Sequence, residues 1–397
     1  MGNPVLDAAR DNVRSAVITH FYSSSTWMEG NAIDQLDQVA TLKGIREIAA
    51  FPDLHSGKFG PVGCAILADR IYPHLIGNDI GCGMSVFLLN LSARKIRVEK
   101  AAQRMRRLEG LWDGDHKAMI QRACLTPSVH DVALGSIGGG NHFCEIQAVE
   151  TIYDETAARR RGISKDCALL MVHSGSRSLG TSIFGSVQHQ MDGLDKNSVE
   201  AGCYLKKHGW AVKWASLNRQ IIAERAARSL RSECQLIVDS PHNLVEVSDG
   251  LFLHRKGAAK ANLPLVPFAG SRDALSFLLE PTAQIKKALN SLAHGAGRKY
   301  DRRSMMGRVG NTKSEREKLE RTSFGGRVVC EDRQLLMQEA PLAYKNSVSV
   351  VNDLASHGLS TSVVSLKPLV TFKKAVVSSR MEKKQKSERL THRRRNR

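Results

Sequence analysis

The sequence predicts an α+β protein organised as a single large mixed domain. Helical and strand patterns alternate along the chain, with no internal repeat and no linker that would divide the body. The chain has 397 residues, of which 42% are hydrophobic, so it can bury a large core. Chain length alone favours two domains, but the uninterrupted patterning favours one. We expect this domain to span residues 1–377 and a basic, disordered tail to cover residues 378–397.

The N-terminal half is predicted to carry two short strands on either side of a glycine-rich turn. Short runs of Val, Ile and Leu indicate buried strands, whereas apolar residues every three or four positions indicate helices. Proline next to an aromatic and an acidic residue indicates a turn. The expected elements are a helix at 33–42, a turn at 51–53, strands at 62–67 and 86–89, and an amphipathic basic helix at 94–110.

The C-terminal half is predicted to present histidines from strand ends. A strand at 168–172 leads into His173, and a strand at 236–238 leads to His242. The expected helices are at 209–228, 284–291, 312–321 and 348–357. The helix at 284–291 is expected to end just ahead of a glycine-rich turn.

Asp79 and Cys82 offer a carboxylate and a thiol from one glycine-rich turn, residues 78–83. Thiolates favour softer divalent metals, whereas carboxylates suit Mg²⁺ and Mn²⁺, so the pair indicates a transition metal. The glycines allow a tight turn and a close approach of backbone to a ligand. A single cysteine is more often a small buried hydrophobic residue, so this turn alone does not establish a metal site.

Three histidines have surroundings that are typical of metal ligands. His142, His173 and His242 each follow apolar or small residues and are flanked by Gly, Ser, Asn or Pro. Functional side chains are often presented in this way from loops on a rigid scaffold. Each one alone could equally be a surface histidine or a hydrogen-bonded core histidine. We expect five other histidines to be ordinary surface or core residues of this kind. They are His20, His116, His189, His208 and His392.

Together these residues make five candidate ligands, which is more than a single tetrahedral zinc ion needs. A shared thiolate could instead bridge two metals and leave positions open for substrate oxygens. The ligands are spread from Asp79 to His242, whereas zinc fingers place theirs in close pairs. The sequence therefore favours a metal centre assembled by the fold over a zinc finger.

His294 precedes the glycines of a second small-residue segment, residues 291–298. Small residues permit close backbone approach to a phosphate, and Arg298 could bind an anion. Histidine can also act as a covalent nucleophile toward phosphorus. The competing interpretation is a helix C-cap with an incidental histidine, and the segment alone does not decide between the two.

The formal net charge of +19 is typical of a protein that binds a polyanion, and RNA is the natural candidate. The tail over residues 378–397 holds nine Lys or Arg against two Glu, and the rest of the chain is basic too. The alternative is that the basic residues serve only solubility.

The cysteines and the apolar segments indicate the cellular compartment. The chain has eight cysteines without a C-x-x-C pair and no long apolar run, which predicts reduced thiols and no export or membrane span. We therefore expect a cytoplasmic enzyme.

Motifs along most of the chain resemble those of the RtcB family of RNA ligases. They occur in the family's order from about Asp53 to Lys373. The compact size is similar to the branch encoded beside a release-factor-like protein, release factor H, and implies a functional link to it. The motifs are residues 52–55 (Pro-Asp-Leu-His), 79–83 (Asp-Ile-Gly-Cys-Gly), 138–145 (Gly-Gly-Gly-Asn-His-Phe-Cys-Glu), 173–177 (His-Ser-Gly-Ser-Arg), 242–243 (His-Asn), 254–257 (His-Arg-Lys-Gly), 294–298 (His-Gly-Ala-Gly-Arg), 339–345 (Glu-Ala-Pro-Leu-Ala-Tyr-Lys) and 366–369 (Leu-Lys-Pro-Leu).

The resemblance implies a mixed α and β fold with two manganese ions in the active site and GTP as the nucleotide. Cys82 would bridge the metals, with Asp79 and His142 in one metal site and His173 and His242 in the other. Glu145 would read the edge of the guanine. The other residues implied for the nucleotide site are Asn141, His142, Phe143, Cys144, His242, Asn243, Ser271, Ser276, His294, Gly295, Ala296, Gly297, Tyr344 and Lys373.

The resemblance also implies a reaction in RNA repair or tRNA splicing, on broken tRNA or rRNA ends. His294 would attack GTP to form a histidine–GMP adduct and release pyrophosphate. A 2′,3′-cyclic phosphate end would be opened by water to a 3′-phosphate, which takes the GMP and is then attacked by a 5′-hydroxyl. Asp53 would orient a neighbouring group and Arg177 would hold an RNA phosphate or terminus. These are phosphoryl-transfer and nucleotidyl-transfer steps, in which positioning and charge neutralisation dominate.

The chain departs from the family pattern at several positions. Residues 270–273 read Gly-Ser-Arg-Asp where the family usually reads Gly-Ser-Met-Gly, and Val370 replaces a usual glycine. The pair Lys373 and Lys374 leaves open which lysine contacts the nucleotide.

Two other classes of protein remain as alternatives to the ligase. A binuclear metal-dependent phosphodiesterase would need the metal ligands but not His294 or GTP, and a noncatalytic RNA-binding factor would need only the basic surface.

Overall fold

The computed structural model describes residues 16–375, and the expected tail over residues 378–397 lies outside the described residues. The strands are β1 Val17–His20, β2 Ile45–His55, β3 Val62–Ala68, β4 Arg70–Ile71, β5 Gly83–Ser92, β6 Phe143–Ile152, β7 Cys167–Ser174, β8 Leu194–Asp195, β9 Cys234–Pro241, β10 Asn243–Ser248, β11 Leu251–Lys256, β12 Ala258–Lys260, β13 Val266–Phe268, β14 Ser276–Pro281, β15 Ser291–Ala293, β16 Arg327–Cys330 and β17 Ser360–Lys374. The α-helices are α1 Gly30–Ala40, α2 Pro73–Ile76, α3 Val98–Met105, α4 His116–Arg122, α5 Glu155–Arg160, α6 Arg177–Gly185, α7 Val199–Leu230, α8 Lys313–Leu319, α9 Arg333–Gln338 and α10 Ser347–Ser356. Short 3₁₀ helices cover Ala93–Lys95, Arg106–Leu108, Val129–Ala133, Ala283–Ala288 and Pro341–Ala343.

The larger sheet brings the strands that carry the candidate ligands side by side. Its strand order is β13-β14-β17-β6-β7-β5-β9, and β16 pairs with β17. The pairs β6–β7, β7–β5 and β5–β9 are antiparallel, and their register places His173 opposite both Phe143 and Met84, and Gly83 opposite Pro241. The starts of β5 and β6 therefore lie at the same end of the sheet as the ends of β7 and β9.

The second sheet carries Asp53 toward His294. Its strand order is β1-β2-β3-β11-β10, and Asp53 lies near the end of β2. A two-stranded ladder of β12 and β15 packs against β2 and β3, and His294 directly follows β15. The two sheets and this ladder thus bring residues from distant parts of the sequence to one place.

Helix α7 supports the ligand-bearing end of the larger sheet. It begins after Ser198, whose hydroxyl accepts a hydrogen bond from the Ala201 N–H at 3.1 Å, and it ends where Arg231 adopts a left-handed conformation. Small residues such as Ala223 and Ala226 are fully buried against β5, β7 and β9. Because these residues are small, the helix backbone lies close to the sheet.

The α+β prediction is confirmed, and so are most of the individual elements. The predicted helices at 33–42, 312–321 and 348–357 correspond to α1, α8 and α10, and the predicted strands correspond to β3, β5, β7 and β9. The predicted helix at 209–228 lies within the longer α7. The predicted helix at 94–110 is only partly correct, since its α-helical part is Val98–Met105 and 3₁₀ helices flank it.

Two predictions about local structure are wrong. The expected turn at 51–53 is part of β2, which accommodates Pro52 because its pairing with β3 shifts register between Ala50 and His55. The expected helix at 284–291 is a 3₁₀ helix that ends at Ala288, where Leu289 and Asn290 adopt left-handed conformations before β15. His294 therefore follows a strand, and the helix C-cap interpretation of this histidine is wrong.

No helix between residues 16 and 375 combines the length and apolar character that crossing a bilayer requires.

Candidate active site

The five predicted metal ligands come together in one row of side chains. Asp79 Oδ2 lies 3.0 Å from His142 Nε2, which lies 3.2 Å from Cys82 Sγ. Cys82 Sγ in turn lies 3.1 Å from His173 Nε2, which lies 3.2 Å from His242 Nε2. Cys82 therefore occupies the centre of the row, between Asp79 and His142 on one side and His173 and His242 on the other.

The turn that carries Asp79 and Cys82 depends on glycine. Gly81 adopts a left-handed conformation with φ of 72°, and a Cβ atom there would lie 2.8 Å from the Val212 Cα of α7. The turn is held by a hydrogen bond from the Cys82 N–H to the Asp79 carbonyl oxygen at 3.1 Å, and Asn243 Nδ2 donates to the same oxygen at 2.9 Å. A residue with a side chain at position 81 would displace both ligands.

Burial determines the protonation of this row. Burial and the neighbouring imidazoles lower the pKa of His173 and of His242 well below the ordinary value, so both rings are neutral near pH 7. Burial, with the Asp79 carboxylate nearby, raises the pKa of the Cys82 thiol well above its usual range. Burial alone would also raise the pKa of Asp79, but the adjacent His142 lowers it. Neutral imidazole is the form of histidine that binds metals, and a bound cation is what favours a buried thiolate.

The chemistry of these donors fits a transition-metal site. Within the described residues, Cys82, His142 and His173 form a buried group whose ligand atoms all lie within 4.8 Å of one another. Imidazole nitrogens and a thiolate with one carboxylate suit metals softer than Mg²⁺ or Ca²⁺. The protein can therefore hold a metal ion at Cys82, and the extended row offers ligands on both sides of it.

His294 continues this row and is held by Asp53. Its ring centroid lies 4.6 Å from that of His242, and its Nδ1 lies 2.7 Å from Asp53 Oδ2. The same carboxylate oxygen accepts the His294 backbone N–H at 3.2 Å, and Asp53 is fully buried. Since a carboxylate only accepts hydrogen bonds, Nδ1 is the nitrogen that donates to Asp53, and Nε2 is the nitrogen that Asp53 does not engage.

Gly297 maintains the contact between the His294 segment and β2. It has a φ of 70°, and a Cβ atom there would lie 2.3 Å from the Asp53 carbonyl oxygen. Lys345 joins the same two segments, because its N–H donates to the Gly297 carbonyl oxygen and its Nζ donates to the carbonyl oxygens of Pro52 and Leu54. Burial lowers the pKa of Lys345 to about 8. These contacts fix the position of Asp53 relative to His294.

A cavity of about 440 Å³ opens beside the metal ligands and His294. Asp79, Cys82, His173 and His242 line one part of it, whereas His142 lies behind the wall. The residues predicted for the nucleotide site that line the cavity are Asn141, Phe143, Glu145, His242, Asn243, Ser271, His294, Gly295, Ala296, Gly297, Tyr344 and Lys373.

Cys144 and Ser276, in contrast, do not line this cavity. Alternate residues of a strand point to opposite faces, so Cys144, between Phe143 and Glu145 on β6, is buried in the hydrophobic core. Burial raises the pKa of the Cys144 thiol. Ser276 is buried behind the wall, where its hydroxyl accepts a hydrogen bond from Gln147 Nε2 at 3.0 Å. Neither side chain lines the cavity, and the assignment of Cys144 and Ser276 to the nucleotide site stays a prediction.

Glu145 presents a buried carboxylate to the cavity. Gln147 Nε2 donates to its Oε1 at 2.7 Å, and the Thr371 hydroxyl donates to its Oε2. Burial raises the pKa of Glu145 to about 7, although these hydrogen bonds and Lys373 act in the opposite direction. The carboxylate is thus held in one orientation by its neighbours.

The structure distinguishes the two adjacent lysines of β17. Lys373 is buried, lines the cavity and donates to the His142 carbonyl oxygen at 3.1 Å. Lys374 points to the opposite face, where it is half exposed and pairs with Glu109 at 3.3 Å. Lys373 is therefore the lysine in position to contact a ligand in the cavity.

Arg177 lies behind His142 rather than in the cavity. Its Nη1 lies 3.5 Å from His142 Nδ1, its backbone has a φ of 56°, and its Nε is buried without a hydrogen-bond partner. It lines a neighbouring groove together with residues 136–140.

The sequence reasoning missed several charged residues of the cavity wall. Glu339 is buried and pairs with Arg298 at 3.1 Å and with Arg302 at 3.2 Å. Lys256 and Arg272 also line the cavity. Glu339 and Lys256 lie in motifs that resemble the family's, which was the available signal, whereas nothing in the sequence marked Arg302.

The chain matches known proteins over most of its length. The family model described as "tRNA-splicing ligase RtcB" matches residues 35–110 and 109–374. The "RNA-splicing ligase RtcB2" of Escherichia coli is 39% identical over 360 residues, which cover 88% of this chain and 94% of that protein. The "tRNA-splicing ligase RtcB" of Methanococcus maripaludis is 27% identical over 447 residues, which cover 87% and 92% of the two chains. With its fold, its row of ligands and these matches, the chain belongs to the RtcB family.

Proposed function

We propose that this protein is a GTP-dependent RNA ligase that joins 2′,3′-cyclic phosphate or 3′-phosphate ends to 5′-hydroxyl ends. The observation that carries the proposal is the continuous arrangement of the metal ligands and His294, with the Asp53 carboxylate on His294 Nδ1. The names of the related proteins, which describe RNA-splicing and tRNA-splicing ligases, support the reaction class.

Two manganese ions would be held along the row, with Cys82 as the ligand that both share. Asp79 and His142 lie on one side of Cys82 and His173 and His242 on the other, which supports this division. When bound, such a pair of metals neutralises and orients phosphate oxygens. The row begins at Asp79 and ends beside His294, so a phosphate held there would be next to the imidazole.

GTP would lie in the cavity with its α-phosphate at His294 and its guanine near Glu145. The carboxylate of Glu145 can accept hydrogen bonds from the N1–H and the 2-amino group of guanine. Tyr344 and Lys373 line the same cavity. This placement keeps the reacting phosphorus beside the metal ligands and the base away from them.

The covalent step would take place at His294 Nε2. Its lone pair attacks the α-phosphorus, the phosphorus–nitrogen bond forms, and the bond to the bridging oxygen breaks to release pyrophosphate. Asp53 holds the Nδ1 proton, so that the attacking nitrogen is the unprotonated one and the positive charge that develops on the ring is stabilised.

The RNA steps would follow at the same place. Water opens a 2′,3′-cyclic phosphate to a 3′-phosphate, which attacks the histidine-bound GMP and frees His294. The 5′-hydroxyl oxygen then attacks the activated 3′-phosphate, forms the phosphodiester and releases GMP. Arg177, beside His142, would hold an RNA phosphate or terminus. Broken tRNA or rRNA ends in repair or splicing are the proposed substrates.

The cellular setting rests on the sequence. The eight cysteines all lie between residues 16 and 375 and are free, which is consistent with the proposed cytoplasmic location. We assign the activity to one domain ending near residue 377, with the basic tail adding salt-sensitive RNA affinity. Membership of the branch linked to a release-factor-like protein stays a prediction.

The proposal is tested by incubating the full chain with Mn²⁺ and GTP labelled at the α-phosphate. We expect an acid-labile protein–GMP adduct, and joining of RNA strands that carry 3′-phosphate and 5′-hydroxyl ends. The buried Asp53–His294 pair favours this outcome over a metal-dependent phosphodiesterase, which would need no activated histidine. Cleavage of RNA without any adduct would replace the ligase with the phosphodiesterase.

Replacing Cys82 with alanine is expected to reduce the bound manganese from two ions per chain to one or none. The reason is that the thiolate would be the ligand shared by both ions, so its removal weakens both metal sites. Metal analysis of the dialysed protein measures this ratio. Cys203→Ala is the matched control, because Cys203 is an exposed cysteine on α7. Two tightly bound ions in Cys82→Ala would contradict the bridging role.

A further inference from the structure

Arg272 is a buried guanidinium group that forms no ion pair within residues 16–375. It is only 6% exposed, and its Nη2 donates to the Leu336 carbonyl oxygen at 2.9 Å. Its Nη1 is buried and has no hydrogen-bond partner, and within residues 16–375 no carboxylate lies close enough to form a salt bridge with it. A buried charged group with an unused donor is energetically unfavourable unless another molecule completes its contacts.

The carboxylates near Arg272 already have other partners. Asp273 Oδ1 accepts hydrogen bonds from the Ser323 N–H at 2.7 Å and from the Ser323 hydroxyl at 2.8 Å. Glu339 pairs with Arg298 and Arg302, lies 3.8 Å from Lys373 Nζ and accepts the Tyr344 hydroxyl. Positive charge is therefore in excess at this part of the cavity, and hydrogen-bond acceptors are lacking.

Arg272 lines the same cavity as Glu145, Tyr344 and Lys373. The groups whose charge influences the guanidinium include Cys330, Glu339 and Tyr344. Lys373 lies within the electrostatic reach of both Arg272 and Glu145. A nucleotide whose base lies at Glu145, as proposed above, would therefore bring that base near Lys373 and Arg272.

We propose that Arg272 donates its free Nη1 hydrogens to O6 and N7 of guanine and makes the nucleotide site selective for guanine over adenine. This inference rests on the proposed function and extends it. Guanine presents acceptors at O6 and N7 and donors at N1 and the 2-amino group, which match the guanidinium and the Glu145 carboxylate. Adenine places an amino donor where O6 would be, so it would face Arg272 with the wrong hydrogen-bonding group. Arg272 also stands where the family usually has methionine, so the contact is a property of this chain.

The test compares the full chain with Arg272→Met, in the presence of Mn²⁺, by calorimetric binding of GMP and GTP. We expect Arg272→Met to bind both nucleotides about tenfold to a hundredfold more weakly and by the same factor, because a guanidinium contact to O6 and N7 discriminates to about this extent. The wild type should also bind 7-deaza-GMP, which lacks N7, or 6-thio-GMP, which has a poor acceptor in place of O6, more weakly than GMP. In Arg272→Met these differences should disappear.

Arg316→Met is the control, since Arg316 also donates to a backbone carbonyl oxygen, that of Gly310 at 2.8 Å, but lies outside the cavity. Unchanged GMP binding in Arg272→Met, full discrimination against both analogues in that variant, or a loss confined to GTP would each overturn the inference; the last result would indicate a phosphate contact. A wild type that binds GMP through Arg272 but forms no covalent adduct would overturn the proposed function alone. A wild type that binds no guanine nucleotide would overturn both.

Discussion

Replacing His294 with asparagine is expected to eliminate the protein–GMP adduct, with a fall in its rate of formation of about 10⁴-fold or more. Asparagine can still donate a hydrogen bond to the buried Asp53 carboxylate, but it offers no nucleophilic nitrogen to the α-phosphorus. Joining of RNA ends that depends on GTP should be lost to the same extent. The measurement is single-turnover labelling with α-phosphate-labelled GTP, together with strand joining on a 3′-phosphate substrate.

Two further variants show whether the loss is chemical. His189→Ala should label like the wild type, because His189 is exposed and its ring lies at hydrogen-bond distance from the neighbouring Gln190, outside the cavity. Asp53→Asn should slow labelling by about 10²-fold to 10⁴-fold, since an amide no longer fixes the proton on Nδ1. Metal content measured alongside separates a loss of chemistry from a loss of structure. A stable adduct in His294→Asn would show that another residue is the nucleophile.

The clustering of the candidate metal ligands could be predicted because their local surroundings are unusual for core residues. A cysteine, a carboxylate and histidines flanked by glycine, serine or proline are uncommon in strands that only fill a core, and antiparallel pairing brings such strand ends together. The role of His294 could not be decided in the same way. Its contact with Asp53 joins residues far apart in sequence and depends on β15 packing against β2.

The residues that the sequence did not reveal are those whose role depends on tertiary contacts. Pro52 was predicted to lie in a turn. The register shift that accommodates this proline in β2 depends on the pairing with β3 and is not visible in the sequence. The sequence did not reveal that Ser276 is buried and accepts a hydrogen bond from Gln147, which also donates to Glu145. Successive side chains of β17 point to opposite faces of the sheet, so only one of Lys373 and Lys374 can face the cavity. Which of the two does so is set by the pairing of β17 with β6, which the sequence does not reveal.

Arg219 is another residue whose role the sequence did not reveal. It lies in a part of α7 without an unusual sequence pattern, yet it supports two of the segments that carry candidate ligands. Its Nη1 donates to the carbonyl oxygens of Gly81 at 2.8 Å and Ser174 at 2.9 Å, next to Cys82 and His173. Its Nε and Nη2 form a two-pronged contact with Asp239 at 2.7 and 2.9 Å. Burial alone would raise the pKa of Asp239, but Arg219 and the adjacent hydroxyl groups lower it.

Breaking this buried pair with Arg219→Met is expected to lower the free energy of unfolding by about 3–5 kcal/mol, because Asp239 would remain buried without its partner. The carbonyl oxygens of Gly81 and Ser174 would lose their donors as well, so the variant should also bind manganese more weakly. Urea denaturation and metal analysis of the same preparations measure the two effects. Asp239→Asn should be destabilised for the complementary reason.

The controls separate burial from the mere presence of an ion pair. Arg46→Met removes an exposed partner of Asp69, with 59% of the arginine side chain accessible, and should change stability by less than about 1 kcal/mol. Because the pKa of Asp239 is lower in the folded state, its contribution is complete above about pH 4, the unfolded value, and falls as pH decreases through the folded value. The difference in stability between the wild type and Asp239→Asn should therefore shrink in acid. A constant difference at all pH values would mean that Asp239 does not act through its charge.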